Sequence, residues 1–310
     1  MSSVRWVILG TLPIFALSLG CFLVFYLDVD FKSPIAQTLA FMGSTASAFA
    51  VPGPVGEPGP KYNFSMFVGV LTRADLYTAR HRLRLAYGAQ PKTVADIDLR
   101  FIFCNLTKED QRVLVGLEIL LYNDIIILNC TENMNDGKTF TYFSSLPKIL
   151  PRKYDYVMKT DDDTFFRLGP LVESLAAQPR EDFYYGFIIP CDRNETFGSG
   201  IYMSGMGYVV SWDIVDWISR SNITRDEKIG PEDKMFGWFL DKGKKANHRY
   251  NVKPRMYDYP GTNGFPCARE HLVPDTVAVH KLKSQESWVA TLSYFNVTRG
   301  IKPSKLYHLD

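Results

Sequence analysis

The chain has 310 residues, 46% of them hydrophobic and 22% charged, with a formal net charge of +2. This balance excludes a largely disordered or fibrous chain, and the near-neutral total removes the electrostatic case for nucleic-acid binding. Trp6 to Leu27 comes first and carries no charge. As a helix it would reach about 33 Å, enough for a hydrocarbon core of about 30 Å. Arg5 precedes it, and Asp28 and Asp30 follow it. That asymmetry leaves residues 1–5 in the cytoplasm and sends the bulk of the chain to the other side. A cleaved signal peptide has a shorter apolar core, so 6–27 reads as an uncleaved signal anchor.

Residues 28–61 read as a stem. Gly53 to Lys61 (GPVGEPGPK) holds three Gly-X-Y triplets, too few for a triple helix, and suits a semi-rigid extended spacer. Residues 62–310 form the expected folded domain, in which strand-like and helix-like segments alternate. Phe64–Leu71 predicts a strand, Ala74–Tyr87 a helix, Asp98–Phe103 a strand and Lys108–Tyr122 a helix. Asp124–Leu128 predicts a third strand, Lys138–Leu150 a helix and Tyr154–Lys159 a fourth strand. Such alternation implies an α/β fold with a mostly parallel twisted sheet flanked by helices, and ligands bind outside the carboxyl ends of such strands.

Two further features fit a secretory lumen. Six of the twelve asparagines begin Asn-X-Ser/Thr acceptors: Asn63, Asn105, Asn129, Asn194, Asn222 and Asn296. Beyond Cys21 in the anchor there are four cysteines, Cys104, Cys130, Cys191 and Cys267, with no CxxC spacing for zinc. Four cysteines allow three pairings into two disulfides, and buried free thiols remain the alternative.

The fourth strand runs into Lys159–Phe166 (KTDDDTFF). Three adjacent carboxylates at a strand end repel one another unless a cation or several donors neutralise them. Hard oxygen ligands suit Mn²⁺ or Mg²⁺, which in turn would hold a phosphate. A solvated acidic turn is the plain alternative, against which the apolar flanks on both sides argue. Further on, Pro231 followed by Glu232 and Asp233 opens a predicted helix to Leu240, where acids complement the dipole.

Residues 156–168 (YVMKTDDDTFFRL) resemble the metal-binding DxD segment of the β-1,3-galactosyltransferases, family 31 of the glycosyltransferases. In the same order, 80–88 (RHRLRLAYG) is similar to that family's R-x-x-x-R-x-T-W-G box. Residues 202–211 (YMSGMGYVVS) are similar to its Y-x-S-G-x-G-Y-x-x-S box, and 232–237 (EDKMFG) to its E-D-x-x-x-G box. The resemblance implies a GT-A fold, a single-pass type II Golgi membrane enzyme and inverting transfer from a UDP-sugar, with galactose in β-1,3 linkage as the expected product. It implies Mn²⁺ or Mg²⁺ on Asp161 and Asp163, with His280 as the late histidine ligand. Asp161, Asp162, Glu232, Arg80 and Arg84 would meet the donor, and Gly205 and Gly207 would let backbone approach its sugar. Asp233 would be the base that takes the acceptor hydroxyl's proton, a role that a single carboxylate can fill because the leaving diphosphate needs no proton. The implied acceptor is a glycan on a glycoprotein, glycolipid or proteoglycan.

Three positions depart from the family pattern. Ala86 and Tyr87 stand where Thr and Trp are usual, and Lys234 stands where Val is usual. A cation beside Asp233 would lower its basicity unless the side chain points away. Lys234 is therefore what favours the rival reading, a non-catalytic luminal lectin or cargo-binding protein that keeps a transferase fold.

Overall fold

The computed structural model describes residues 63–264 and 266–307. The expected anchor, the stem and Cys21 lie outside the described residues. Among the described residues no helix is long and apolar enough to cross a membrane.

Strand β1 (Phe64–Leu71) occupies the predicted run. It is apolar throughout because both of its faces are covered. Met66, Val68 and Val70 enter one core while Phe67 and Leu71 enter the other, the period-two consequence of a sheet buried on both sides. Helix α1 (Tyr77–Gly88) begins after the expected Ala74. Arg73 and Asp75 pair with each other at 3.1 Å, and Leu76 N donates to Arg73 O, so the chain makes a turn before the helix. Strand β2 (Ala95–Cys104) starts before the expected Asp98 because it pairs along the whole of β1, from Phe64↔Ala95 to Leu71↔Ile102. Helix α2 (Glu109–Tyr122), β3 (Ile125–Leu128) and α3 (Lys138–Ile149) follow close to their predicted bounds. Strand β4 (Tyr156–Asp161) runs past the expected Lys159, since β1 keeps pairing with it up to Leu71↔Asp161.

After the short β5 (Phe165–Phe166) and α4 (Leu168–Leu175) come β6 (Phe183–Ile189) and β7 (Tyr202–Ser211). Helices α5 (Trp212–Arg220), α6 (Arg225–Lys228) and α7 (Glu232–Lys242) lead to β8 (His248–Asn251). Strands β9 (Met256–Asp258) and β10 (Ala278–His280) and helix α8 (Gln285–Tyr294) complete the domain.

The main sheet has the order β3-β2-β1-β4-β7-β6-β8. Strand β7 is antiparallel to β4 and β6, and every other neighbouring pair is parallel, so the expected parallel sheet is a mixed one with a single reversed strand. Leu83, Leu171 and Trp288 pack one face, from α1, α4 and α8; Tyr142, Ile218 and Phe236 pack the other, from α3, α5 and α7. A second sheet, β5-β10-β9, was not foreseen. Its strands are two or three residues long, below the length at which a sequence pattern can be read.

The four cysteines form Cys104–Cys130 and Cys191–Cys267. The first ties the ends of β2 and β3 together; the second ties the β6–β7 connection to the β9–β10 connection. All six acceptor asparagines are exposed.

Candidate active site

Strands β1 and β4 end side by side, and β7 runs back along β4 with Gly207 opposite Thr160. The first turn of α7 closes the space beyond them. The result is a cavity of about 640 Å³ whose walls include Thr72, Lys138, Asp161, Asp162, Asp163, Gly205, Glu232, Asp233 and His280. It lies outside the carboxyl ends of β1 and β4, where an open α/β sheet leaves room for a ligand.

On one wall, Asp161, Asp163 and His280 each offer a ligand atom, all within 4.8 Å of one another. The second sheet makes this possible, because β10 pairs antiparallel to β5, which follows the acidic turn directly. His280 Nε2 stands 3.4 Å from Asp163 Oδ1, while Nδ1 is 2.7 Å from Asp258 Oδ1. Asp258 is buried on β9, in register with His280. A carboxylate on Nδ1 fixes the ring and leaves Nε2 for a cation, the usual arrangement of a metal-binding histidine. Two carboxylates and an imidazole make a donor set that could hold a divalent cation. Without a cation, burial disfavours the imidazolium, but the hydrogen bonds to Asp163 and Asp258 outweigh it and push the His280 pKa up to about 9. Asp163 is held low: burial pushes it up, and His280 and Lys283 more than offset that. Asp162 points elsewhere and accepts from the Thr72 hydroxyl; burial, reinforced by its two acidic neighbours, raises its pKa.

Lys159 is the residue that sequence reasoning passed over. Its side chain is fully buried, with Nζ 2.7 Å from Asp161 Oδ1, 2.6 Å from Glu232 Oε1 and 2.7 Å from Gly205 O. Burial works against the ammonium, yet the two carboxylates raise its pKa overall. A lysine in the apolar run YVMK was the available signal, since a buried charge must be paired. Glu232 is saturated from inside the protein: Oε2 accepts from Thr139 at 2.9 Å and from Tyr208 at 3.3 Å. It edges the cavity while Lys159, Thr139 and Tyr208 brace it from within the protein.

Asp233 lines the same cavity from the first turn of α7. Its Oδ2 accepts from Gly205 N at 3.0 Å and its Oδ1 from Lys234 N at 2.8 Å. The Lys234 ammonium lies 4.4 Å from the centroid of the Trp238 ring, one turn along the helix. This departure from the family pattern thus directs its charge onto an aromatic face.

Two of the residues expected to meet the donor lie away from the cavity. Arg80 is fully buried, with bonds to Glu118 and to the Arg73 and Ala74 carbonyls. Arg84 pairs with Glu118 at 2.6 Å and with Asp124 at 2.8 Å. Neither lines the cavity; the donors expected for a diphosphate are spent on joining α1 to α2 and to the start of β3. Gly207 has a packing role, since a Cβ there would come within 2.6 Å of the Phe166 ring. Gly205 does line the cavity, and a Cβ there would stand 3.0 Å from Glu232 Oε1. The lysines and arginine that do reach the cavity are Arg73, paired with Asp75, Lys283, 3.4 Å from Asp163, and the buried Lys138, bonded to Glu132 and to the Thr72 carbonyl. Burial lowers the Lys138 pKa despite Glu132.

The family model described as galactosyltransferase matches residues 78–199. Beta-1,3-galactosyltransferase pvg3 of Schizosaccharomyces pombe is 25% identical over 276 residues, covering 71% of this chain and 72% of that protein. Beta-1,3-galactosyltransferase 6 of Mus musculus is 24% identical, covering 59% and 62%. UDP-GalNAc:beta-1,3-N-acetylgalactosaminyltransferase 1 of Homo sapiens is 27% identical, covering 67% of each. Among solved structures, the galactosyltransferase LgtC in complex with donor and acceptor sugar analogues aligns at a TM-score of 0.44 and 15% identity, covering 78% of this chain and 98% of that one. The family match spans the arginine box and the acidic turn, and together with these relatives it makes the chain similar to the galactosyltransferases and supports its being a glycosyltransferase.

Proposed function

We propose that the chain is an inverting, GT-A-type, divalent-cation-dependent transferase that moves galactose from UDP-galactose to a glycan acceptor in β-1,3 linkage. The observation that carries this reading is that the Asp161, Asp163 and His280 cluster and Asp233 line one cavity. A bound Mn²⁺ or Mg²⁺ would supply charge stabilisation to the diphosphate leaving group. Asp161, Asp163 and His280 would hold it, while Lys283 adds a positive charge beside Asp163. Asp233 keeps lone pairs free beyond its two backbone bonds, because an ionised carboxylate has about four acceptor sites. It takes the proton from the acceptor hydroxyl as that oxygen bonds the anomeric carbon and the carbon–diphosphate bond breaks. Attack from the side opposite the leaving group inverts the anomeric centre. Gly205 N and Lys234 N fix the carboxylate, so little ordering is left for the transition state.

The chain's segment 6–27 is proposed to anchor it in the Golgi membrane with residues 62–310 in the lumen. Six exposed acceptor asparagines and two disulfides support that side of the membrane. The non-catalytic alternative loses its footing once Lys234 lies on Trp238 and not on Asp233. The test is UDP release by the full chain from UDP-galactose, UDP-N-acetylglucosamine and UDP-N-acetylgalactosamine, with Mn²⁺ and with a chelator. Release from UDP-galactose that the chelator abolishes is the expected result. A chain that binds sugars but never releases UDP overturns the catalytic reading, and preference for another donor overturns the galactose assignment.

A further inference from the structure

Helix α2 is amphipathic in the inverted sense. Its inward face carries Val115, Glu118 and Tyr122. Val115 is fully buried, Glu118 receives Arg80 and Arg84 at 2.6 Å each, and Arg84 lies 4.1 Å over the Tyr122 ring. The outward face carries Val113, Leu117, Leu120 and Leu121, the i, i+4, i+7, i+8 stripe that a surface helix ordinarily turns to the core. These four are 55% to 81% exposed. Strand β3, beside α2, ends the seven-stranded sheet, and its Ile127 is 40% exposed. Five large apolar side chains exposed on α2 and β3 form a patch of the kind that marks an interaction surface.

We propose that this face is an interface with a second copy of the chain, α2 and the β3 edge meeting their own equivalents about a two-fold axis. The free edge of β3 presents backbone N–H and C=O groups, which a strand can satisfy and a bilayer cannot. A two-fold axis sets the two β3 edges antiparallel and makes one patch complementary to itself. Between 113 and 122 there is no lysine or arginine, so the basic rim by which an interfacial helix grips an anionic membrane is missing. Arg112, just before the stripe, pairs with Glu109 at 3.2 Å.

The test uses the full chain in mild detergent, weighed by light scattering with the micelle subtracted, and co-purification of two differently tagged copies. The wild type is expected at twice the protomer mass and L117E/L120E at the protomer mass, with co-purification lost. Because these side chains are exposed, the variant keeps its fold; if it does not, Leu120→Cys provides the second arm, with a covalent dimer expected on mild oxidation. A wild type at the protomer mass, an L120C that gives no dimer, or a dimer indifferent to L117E/L120E overturns the proposal. So does a chain that is monomeric in detergent while the stripe alone drives binding to phosphatidylserine vesicles.

Discussion

Replacing Lys159 by methionine tests the internal frame of the site. The substitution keeps the chain length and removes one buried ammonium, leaving Asp161 Oδ1, Glu232 Oε1 and Gly205 O without their shared donor. Removing one partner from a buried pair costs about 3–5 kcal/mol. Glu232 retains Thr139 and Tyr208 on its other oxygen, and the Asp161 side chain is 29% exposed, so the lower half of that range applies. At 2–4 °C per kcal/mol for a domain of this size, the melting temperature should fall by roughly 6–16 °C. Activity should fall further than folding does, because Lys159 holds Asp161 and, through Gly205, steadies Asp233 in the same cavity. The expected kinetic signature is a lower kcat together with a higher Mn²⁺ requirement. Adding Glu232→Gln should recover part of the lost melting temperature, since it removes the buried carboxylate that the lysine neutralised. A K159M protein that melts like the wild type and needs no more Mn²⁺ would refute the reasoning.

Asp233→Asn should lower transfer by about 10²–10⁴-fold while UDP affinity, measured by calorimetry, stays within twofold; near-normal turnover would place the base elsewhere. Lys234→Val should leave the pH dependence of turnover unmoved, because the ammonium sits on Trp238; a shifted acid limb would contradict that geometry. Arg80→Met should cost several degrees of melting temperature, because Glu118 loses one of its two arginines and the Arg73 and Ala74 carbonyls lose a hydrogen bond, with the KM for the donor unchanged; a raised donor KM would return this arginine to the binding site. Without metal, the His280 pKa of about 9 lies above its ordinary 6.5. The stability it contributes, about 3 kcal/mol, is therefore complete below pH 6.5 and lost as pH rises through 9. In the chelated wild type the melting temperature should fall across that window, and in His280→Gln it should not. Equal pH slopes for the two proteins would dismiss the coupling.

Much of this protein was already legible as sequence. The alternation from Phe64 to Lys159 predicted the strands and helices, because a strand buried on both faces and a half-buried helix leave different periods in the chain. The acidic turn 161–163 stood out because three adjacent carboxylates need a cation. Where the sequence pattern erred, it ranked residues by type and spacing and could not see their partners. Arg80 and Arg84 read as phosphate ligands until Glu118 and Asp124 proved to hold them, and Lys159 read as one more strand residue. His280 and Asp258 lie far along the chain from Asp163 and on strands three residues long. No local pattern brings them together; only the register of the small second sheet does. The disulfide pairing has the same character: spacing left three choices, and the distance between strand ends chose one. Local periodicity follows from which side of a chain segment meets water, so one sequence suffices to read it. A charged side chain's role depends on which opposite charge the fold places within 3 Å of it, and tertiary structure alone decides that.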